Sequence, residues 1–181
     1  MLNFIFAWLN RRRQPAQTTE LYTAIVTQAR KSDFYSQLGV PDTLDGRFDM
    51  ILLHAFLLMR RLGRVRPDGA VLNQALFDLM FADMDNSLRE IGVGDLSVGK
   101  KVKQMAQAFY GRVDAYESGL AADDPGMLKD ALVRNLFRTA KPSPERIDAM
   151  AGYVRRTDAI LALQADQELF GGNPSFPAPV W

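Results

Sequence analysis

One stretch constrains the fold more than any other. Between positions 46 and 65 the chain carries Phe48, Ile51, Leu52, Leu53, Ala55, Phe56, Leu57, Leu58, Met59 and Leu62. Such a helix is apolar on nearly every side and has to be surrounded by other elements. It is therefore predicted to be the central, buried helix, with Thr43 or Asp45 as its cap. The flanking periodicities supply its neighbours. Leu21, Ile25 and Ala29, beside Tyr22 and Val26, recur every four residues until Gly39 and Pro41 end the run, which predicts one amphipathic helix. Past Pro67, the positions Val71, Leu72, Ala75, Leu76, Leu79, Met80, Met84, Leu88 and Ile91 predict a third helix ending at Gly92. Ser97 is the expected cap of a fourth, with Val98, Val102, Met105, Phe109, Val113 and Tyr116. Asp124-Pro125 opens a fifth that should run to about Thr139, and Ser143-Pro144-Glu145 opens a sixth with Ile147, Met150, Val154, Ile160 and Leu161. No alternating, β-branched run competes. The expected fold is all-α, a single-domain irregular bundle of about six helices around helix 46–65.

Composition narrows the function. With 48% apolar and 24% charged residues over 181 positions, neither a disordered nor a membrane-embedded chain fits. There is no cysteine, which removes disulfides, thiolate metal sites and thiol nucleophiles, and the one histidine, His54, removes any site needing two imidazoles. The 22 basic and 21 acidic side chains nearly cancel, so no direct nucleic-acid specificity is expected. Their distribution is uneven. Residues 1–66 hold ten basic and five acidic groups, and residues 67–126 hold five and ten, a polarity that suits a two-sided interaction.

The two ends read differently from the middle. In a segment 1–14 the apolar run from Leu2 to Leu9 precedes Arg11, Arg12 and Arg13, the reverse of a secretory signal, and is too short to span a bilayer. Phe4, Ile5, Trp8 and the three arginines suit peripheral contact with an anionic membrane, the alternative being a short helix docked on the core. Residues 15–170 should form the helical domain. Residues 171–181, with Pro174, Pro177 and Pro179, should be an extended tail that carries the large apolar Phe176 and Trp181 and is pinned either on its own core or on a neighbour.

Five constellations invite chemical readings. Gly94, Gly99 and Lys100 nearly spell a phosphate-binding loop, but Lys101 replaces the magnesium-ligating hydroxyl and no strand precedes it, so turn and capping roles are preferred. Asp78, Asp83 and Asp85 lie on one helix; Asp78 and Asp85 share a face while Asp83 is turned about 140° away, so no metal site is expected. His54 is read as a core histidine, with haem ligation the rarer use. Arg60, Arg61, Arg64 and Arg66 form a basic patch at a helix C-terminus, whereas Lys100, Lys101 and Lys103 oppose the dipole preference and point to an acidic partner or lipid. No residue set completes an acid–base, nucleophile or metal mechanism, so neither an enzyme nor a cofactor is expected.

Longer strings carry a resemblance. Leu38-Gly-Val-Pro-Asp-Thr-Leu-Asp-Gly-Arg-Phe-Asp49, the run through His54 and Arg61, Leu76-Phe-Asp-Leu-Met-Phe-Ala-Asp-Met-Asp-Asn-Ser-Leu-Arg-Glu-Ile-Gly-Val-Gly-Asp-Leu-Ser-Val-Gly-Lys100 and Ala108-Phe-Tyr-Gly-Arg112 resemble the ubiquinol-cytochrome c chaperone family over roughly residues 20–165. The resemblance implies a helical assembly factor of the cytochrome bc1 complex. Mitochondrial members bind newly made cytochrome b, work with a small partner protein and associate with the ribosome; this short form looks like a bacterial relative, at the cytoplasmic side of the inner membrane. The candidate client surface is the acidic third helix and the adjoining loop and helix, with Asp78, Phe81, Asp83, Asp85, Asp95, Lys100, Lys103, Phe109 and Tyr110. The rival reading is a small-molecule or haem-handling helical protein using His54 and the Asp78/Asp85 face.

Overall fold

The computed structural model describes residues 16–181. Among them there is no strand; eight α-helices and one π-helical turn occur in the order α1 Ala16–Ala29, α2 Asp33–Ser36, α3 Leu44–Leu62, α4 Asp68–Glu90, α5 Asp95–Ala121, α6 Pro125–Leu132, the π turn Val133–Phe137, α7 Pro144–Leu163 and α8 Asp166–Phe170. The expected all-α bundle is observed, with α3 at its centre. Met50 through Leu58 are buried without interruption, and α3 packs against α1, α4, α7 and the π turn.

Local chemistry explains the element ends. Thr43, not Asp45, caps α3, its hydroxyl accepting the Gly46 amide at 3.1 Å. Gly46 itself is required by space, because a Cβ there would lie 2.0 Å from the Pro41 carbonyl oxygen. The first predicted helix is instead two. The polar run Arg30-Lys31-Ser32 interrupts it, the Tyr35 hydroxyl donates to the freed Ala29 carbonyl at 2.7 Å, and the turn drives Phe34 and Leu38 into the core. Helix α5 begins at Asp95 behind Gly94, ahead of the predicted cap Ser97, whose amide already bonds the Gly94 carbonyl at 2.8 Å. An aspartate in that first turn suits the helix dipole.

The predicted fifth helix also departs from the regular form. It starts as expected, with the Asp124 carboxylate accepting the Gly126 amide at 2.8 Å, but after Leu132 it widens into the π turn. The extra residue per turn lets both Leu136 and Phe137 be buried and delivers Arg138, at φ 53°, to Asp45 and Asp49 on α3.

The chain beyond α8 lies along α1 and α7. The Gln164 side chain donates to the Asn173 carbonyl at 2.6 Å and accepts the Ser175 amide at 2.9 Å, Gln28 donates to the Pro177 carbonyl at 2.7 Å, and Pro179 is buried.

Candidate functional site

The predicted client residues all fall on α4 and α5, the two helices of one hairpin. The hairpin has an aromatic interior. Phe77, Phe81, Phe109 and Tyr110 meet with ring centroids 4.6 to 6.1 Å apart, and such stacks stabilise beyond their buried area. Phe81 and Phe109 are buried in this cluster, so they support the surface from beneath and are not part of it. Tyr110 stays 57% exposed over Phe77.

The carboxylates do not form one constellation. Asp83 turns toward α1 and accepts the Tyr22 hydroxyl at 2.7 Å; burial of the phenol, reinforced by this carboxylate, pushes its pKa up. Asp78 is exposed and accepts from Gln74 at 2.8 Å. Asp85 and Asp95 are drawn together by Arg89, which bonds Asp85 at 2.6 Å and also reaches Asp95. Thus Asp85, Arg89 and Asp95 make an exposed charge cluster closing the hairpin, with Asp78 elsewhere on α4 and Asp83 in the α1 contact.

Helix α5 contributes the open side. Leu96, Lys100, Lys103, Gln107 and Tyr110 recur at spacings of four and three, which puts them on one face, and all are exposed. Leu96 was not singled out by sequence reasoning, because at a helix start a leucine reads as an entry into the core; here it is fully exposed, and Ile91 across the turn is 58% exposed. Gly94, Gly99 and Lys100 lie at the cap and inside this helix, so they form no phosphate loop.

Other predicted residues are absorbed into the bundle. His54 is fully buried, with Nδ1 2.8 Å from the Met50 carbonyl and Nε2 2.7 Å from the Tyr153 hydroxyl. A carbonyl only accepts, so Nδ1 carries the proton and Nε2 accepts from Tyr153, which in turn accepts from Gln28 at 2.9 Å. Phe34 and Phe176 stack edge-on against the imidazole. Burial lowers the His54 pKa to about 4, which keeps the ring neutral. With both nitrogens engaged, His54 offers no axial ligand, and the haem-handling alternative loses its donor.

The basic patch is reduced in the same way. Arg60 pairs with Glu117 at 2.7 Å and Asp158 at 2.6 Å. Arg61 is buried against the Leu161 and Gln164 carbonyls and bonds Asp166 at 2.5 Å, leaving Arg64 and Arg66 exposed. Sequence reasoning missed a further polar cluster. Asp49 is buried on α3, bonded to Arg112 of α5 at 2.8 Å and 3.5 Å from Arg138, and burial pushes its pKa up to about 6. Its signal was a carboxylate directly ahead of the apolar run that starts at Met50. Phe4, Ile5, Trp8, Arg11, Arg12 and Arg13, the predicted membrane contacts, lie outside the described residues.

These features define a class: an all-α bundle whose buried polar groups tie helices together and whose open face is a helical hairpin of mixed charge. Residues 36–176 match the family described as Ubiquinol-cytochrome C chaperone, and the chain belongs to that family. It is 36% identical to the Cbp3 homolog from Brucella abortus, whose crystal structure superposes with a TM-score of 0.81 over 98% of this chain and 97% of that one. It is 24% identical over 136 residues to ubiquinol-cytochrome-c reductase complex assembly factor 1 of Xenopus laevis, covering 75% of this chain and 68% of that protein. Identity to Protein CBP3, mitochondrial, of Saccharomyces cerevisiae is 29% over 151 residues, covering 81% of this chain and 44% of the yeast protein. The chain thus spans less than half the length of the yeast relative.

Proposed function

We propose that the chain is an assembly chaperone for the cytochrome bc1 complex that binds newly made cytochrome b without catalytic turnover. The observation that carries this reading is the likeness to the Brucella Cbp3 homolog along nearly the whole chain, at 36% identity. No described helix is long and apolar enough to cross a membrane. In this proposal the chaperone meets its client from outside the bilayer, at the cytoplasmic face of the membrane. There the apolar and arginine side chains of residues 1–13 would add a weak anchor. A small partner protein and the ribosome, which the resemblance brings with it, belong to the same proposal.

The client surface is the hairpin. A membrane protein emerges as apolar segments flanked by basic loops; Asp78 supplies an acidic group on α4 near the level of the exposed Tyr110 ring, and Asp85 and Asp95 supply carboxylates at the closing end of the hairpin. Lys100 and Lys103 extend that surface along α5, Asp83 fixes α4 on α1, and Phe81 with Phe109 hold the two helices in register. A photo-crosslinking residue placed at Tyr110 in cells should capture cytochrome b; reproducible capture of other proteins without cytochrome b contradicts the assignment. Magnesium-dependent ATP hydrolysis lost on Lys100→Ala would overturn the absence of turnover.

A further inference from the structure

We propose that the tip of the α4–α5 hairpin, which shares Lys100 and Lys103 with the proposed client surface, also docks end-on onto an anionic membrane. Three features coincide there. Ile91 and Leu96 stand on either side of the turn with their side chains in solvent, and neither belongs to the hydrophobic core. Lys100 and Lys103 lie beyond Leu96 on the same face of α5, with Lys101 beside them, all exposed. None of the three lysines has a carboxylate within 4.0 Å among the described residues, whereas the tip's aspartates, Asp85 and Asp95, are both held by Arg89. Arg89 answers one of those two carboxylates in charge and Glu90 is a further exposed one, so residues 85–103 carry four cations against three carboxylates, with the three lysines gathered on α5.

The spacing fits a bilayer surface. At 1.5 Å rise per residue, Lys100 and Lys103 stand about 6 and 10 Å along the axis from Leu96. A tip that buries its apolar side chains at the headgroup boundary therefore places both ammonium groups at phosphate level, the arrangement used by interfacial elements. Intramolecular packing does not require this composition. The outer half of α5 has one buried side chain, Val98, and that residue lies outside the main core cluster. Lysines in that half gain nothing from the helix dipole, which favours anions at an N-terminus. This surface is distinct from residues 1–13, and its contact with lipid needs no client.

The test is co-sedimentation of the purified full chain with vesicles of phosphatidylcholine containing about a third phosphatidylglycerol, compared with pure phosphatidylcholine. The unaltered chain should bind the anionic vesicles. Leu96→Asp, and separately Lys100→Glu with Lys103→Glu, should lower the partition about fivefold or more, at unchanged thermal midpoint because these side chains are in solvent. Leu163→Asp, an equally exposed leucine at the end of α7, should leave it unchanged. Failure of the unaltered chain to bind, equal binding by the tip variants, or an equal loss in Leu163→Asp would overturn the proposal. Because no cytochrome b is present, none of these outcomes bears on client capture.

Discussion

His54 and Asp49 sit on the same helix, both buried, and respond to acid in opposite directions. Between pH 4, where buried His54 titrates, and the ordinary imidazole value of 6.5, the unfolded chain binds the proton more readily. Stability from His54 is therefore complete above that window and lost as pH falls through it. Asp49, raised from 3.8 to about 6, takes its proton first in the folded state, so its contribution is complete below pH 3.8 and lost as pH rises through 6. The two slopes oppose each other in the native chain. Urea midpoints of Asp49→Asn should fall more steeply than wild type on acidification from about pH 6.5 to 4, and those of His54→Asn less steeply; parallel profiles would contradict the assignment. Tyr153→Phe removes the hydroxyl shared by His54 and Gln28, leaves a buried nitrogen unpaired, and should cost about 1–3 kcal/mol by urea denaturation. The interior place of His54 was legible from its apolar neighbours. Its partner Tyr153 lies 99 positions away and the Asp49 partner Arg112 lies 63 away, separations that local periodicity does not encode.

Within single elements, glycines distinguish a packed stretch of helix from an open one. On α5 a Cβ at Gly119 would fall 2.7 Å from the Leu128 Cα of α6, whereas at Gly99 or Gly111 it would meet nothing within 4 Å. Gly119→Ala should therefore lower stability by about 1–3 kcal/mol through a clash with backbone. Gly99→Ala and Gly111→Ala should each raise it by up to about 1 kcal/mol. Thermal midpoints of the three variants decide this, and a stabilised Gly119→Ala would show that α5 and α6 do not meet as described. Helix identity was readily legible in apolar spacing, as for α3, α4 and α7. The break at Arg30-Lys31-Ser32 was not, because those residues tolerate a helix and it is the burial of Phe34 and Leu38 that turns the chain. The π turn was equally hidden: Val133–Phe137 carries ordinary helix formers, and the wider turn answers to a distant demand, the placement of Arg138 at Asp45 and Asp49.

Across the bundle, buried polar contacts lock α3, α5, α7 and the C-terminal strip together, while the outer hairpin stays open. The candidate client residues were named from the sequence as a set, without Leu96, but their arrangement was not legible there. Helical angles separated Asp83 from Asp78 correctly; the Arg89 clasp and the depth of Phe81 and Phe109 depend on how α4 and α5 meet. Charge reversal with loss of the exposed ring, Asp78→Lys with Tyr110→Ala, should abolish client capture at a cost in stability of about 0.5–1.5 kcal/mol, the share of Tyr110 stacked on Phe77 and Phe109. Pull-down of cytochrome b at the wild-type level by that variant would move the client surface elsewhere. A role in assembling the cytochrome bc1 complex is tested most directly by the amount of assembled complex in cells from which the chain has been deleted. The complex should be largely lost, and restored by the intact chain but not by the Asp78→Lys, Tyr110→Ala variant; normal levels of assembled bc1 complex without the chain would contradict that role.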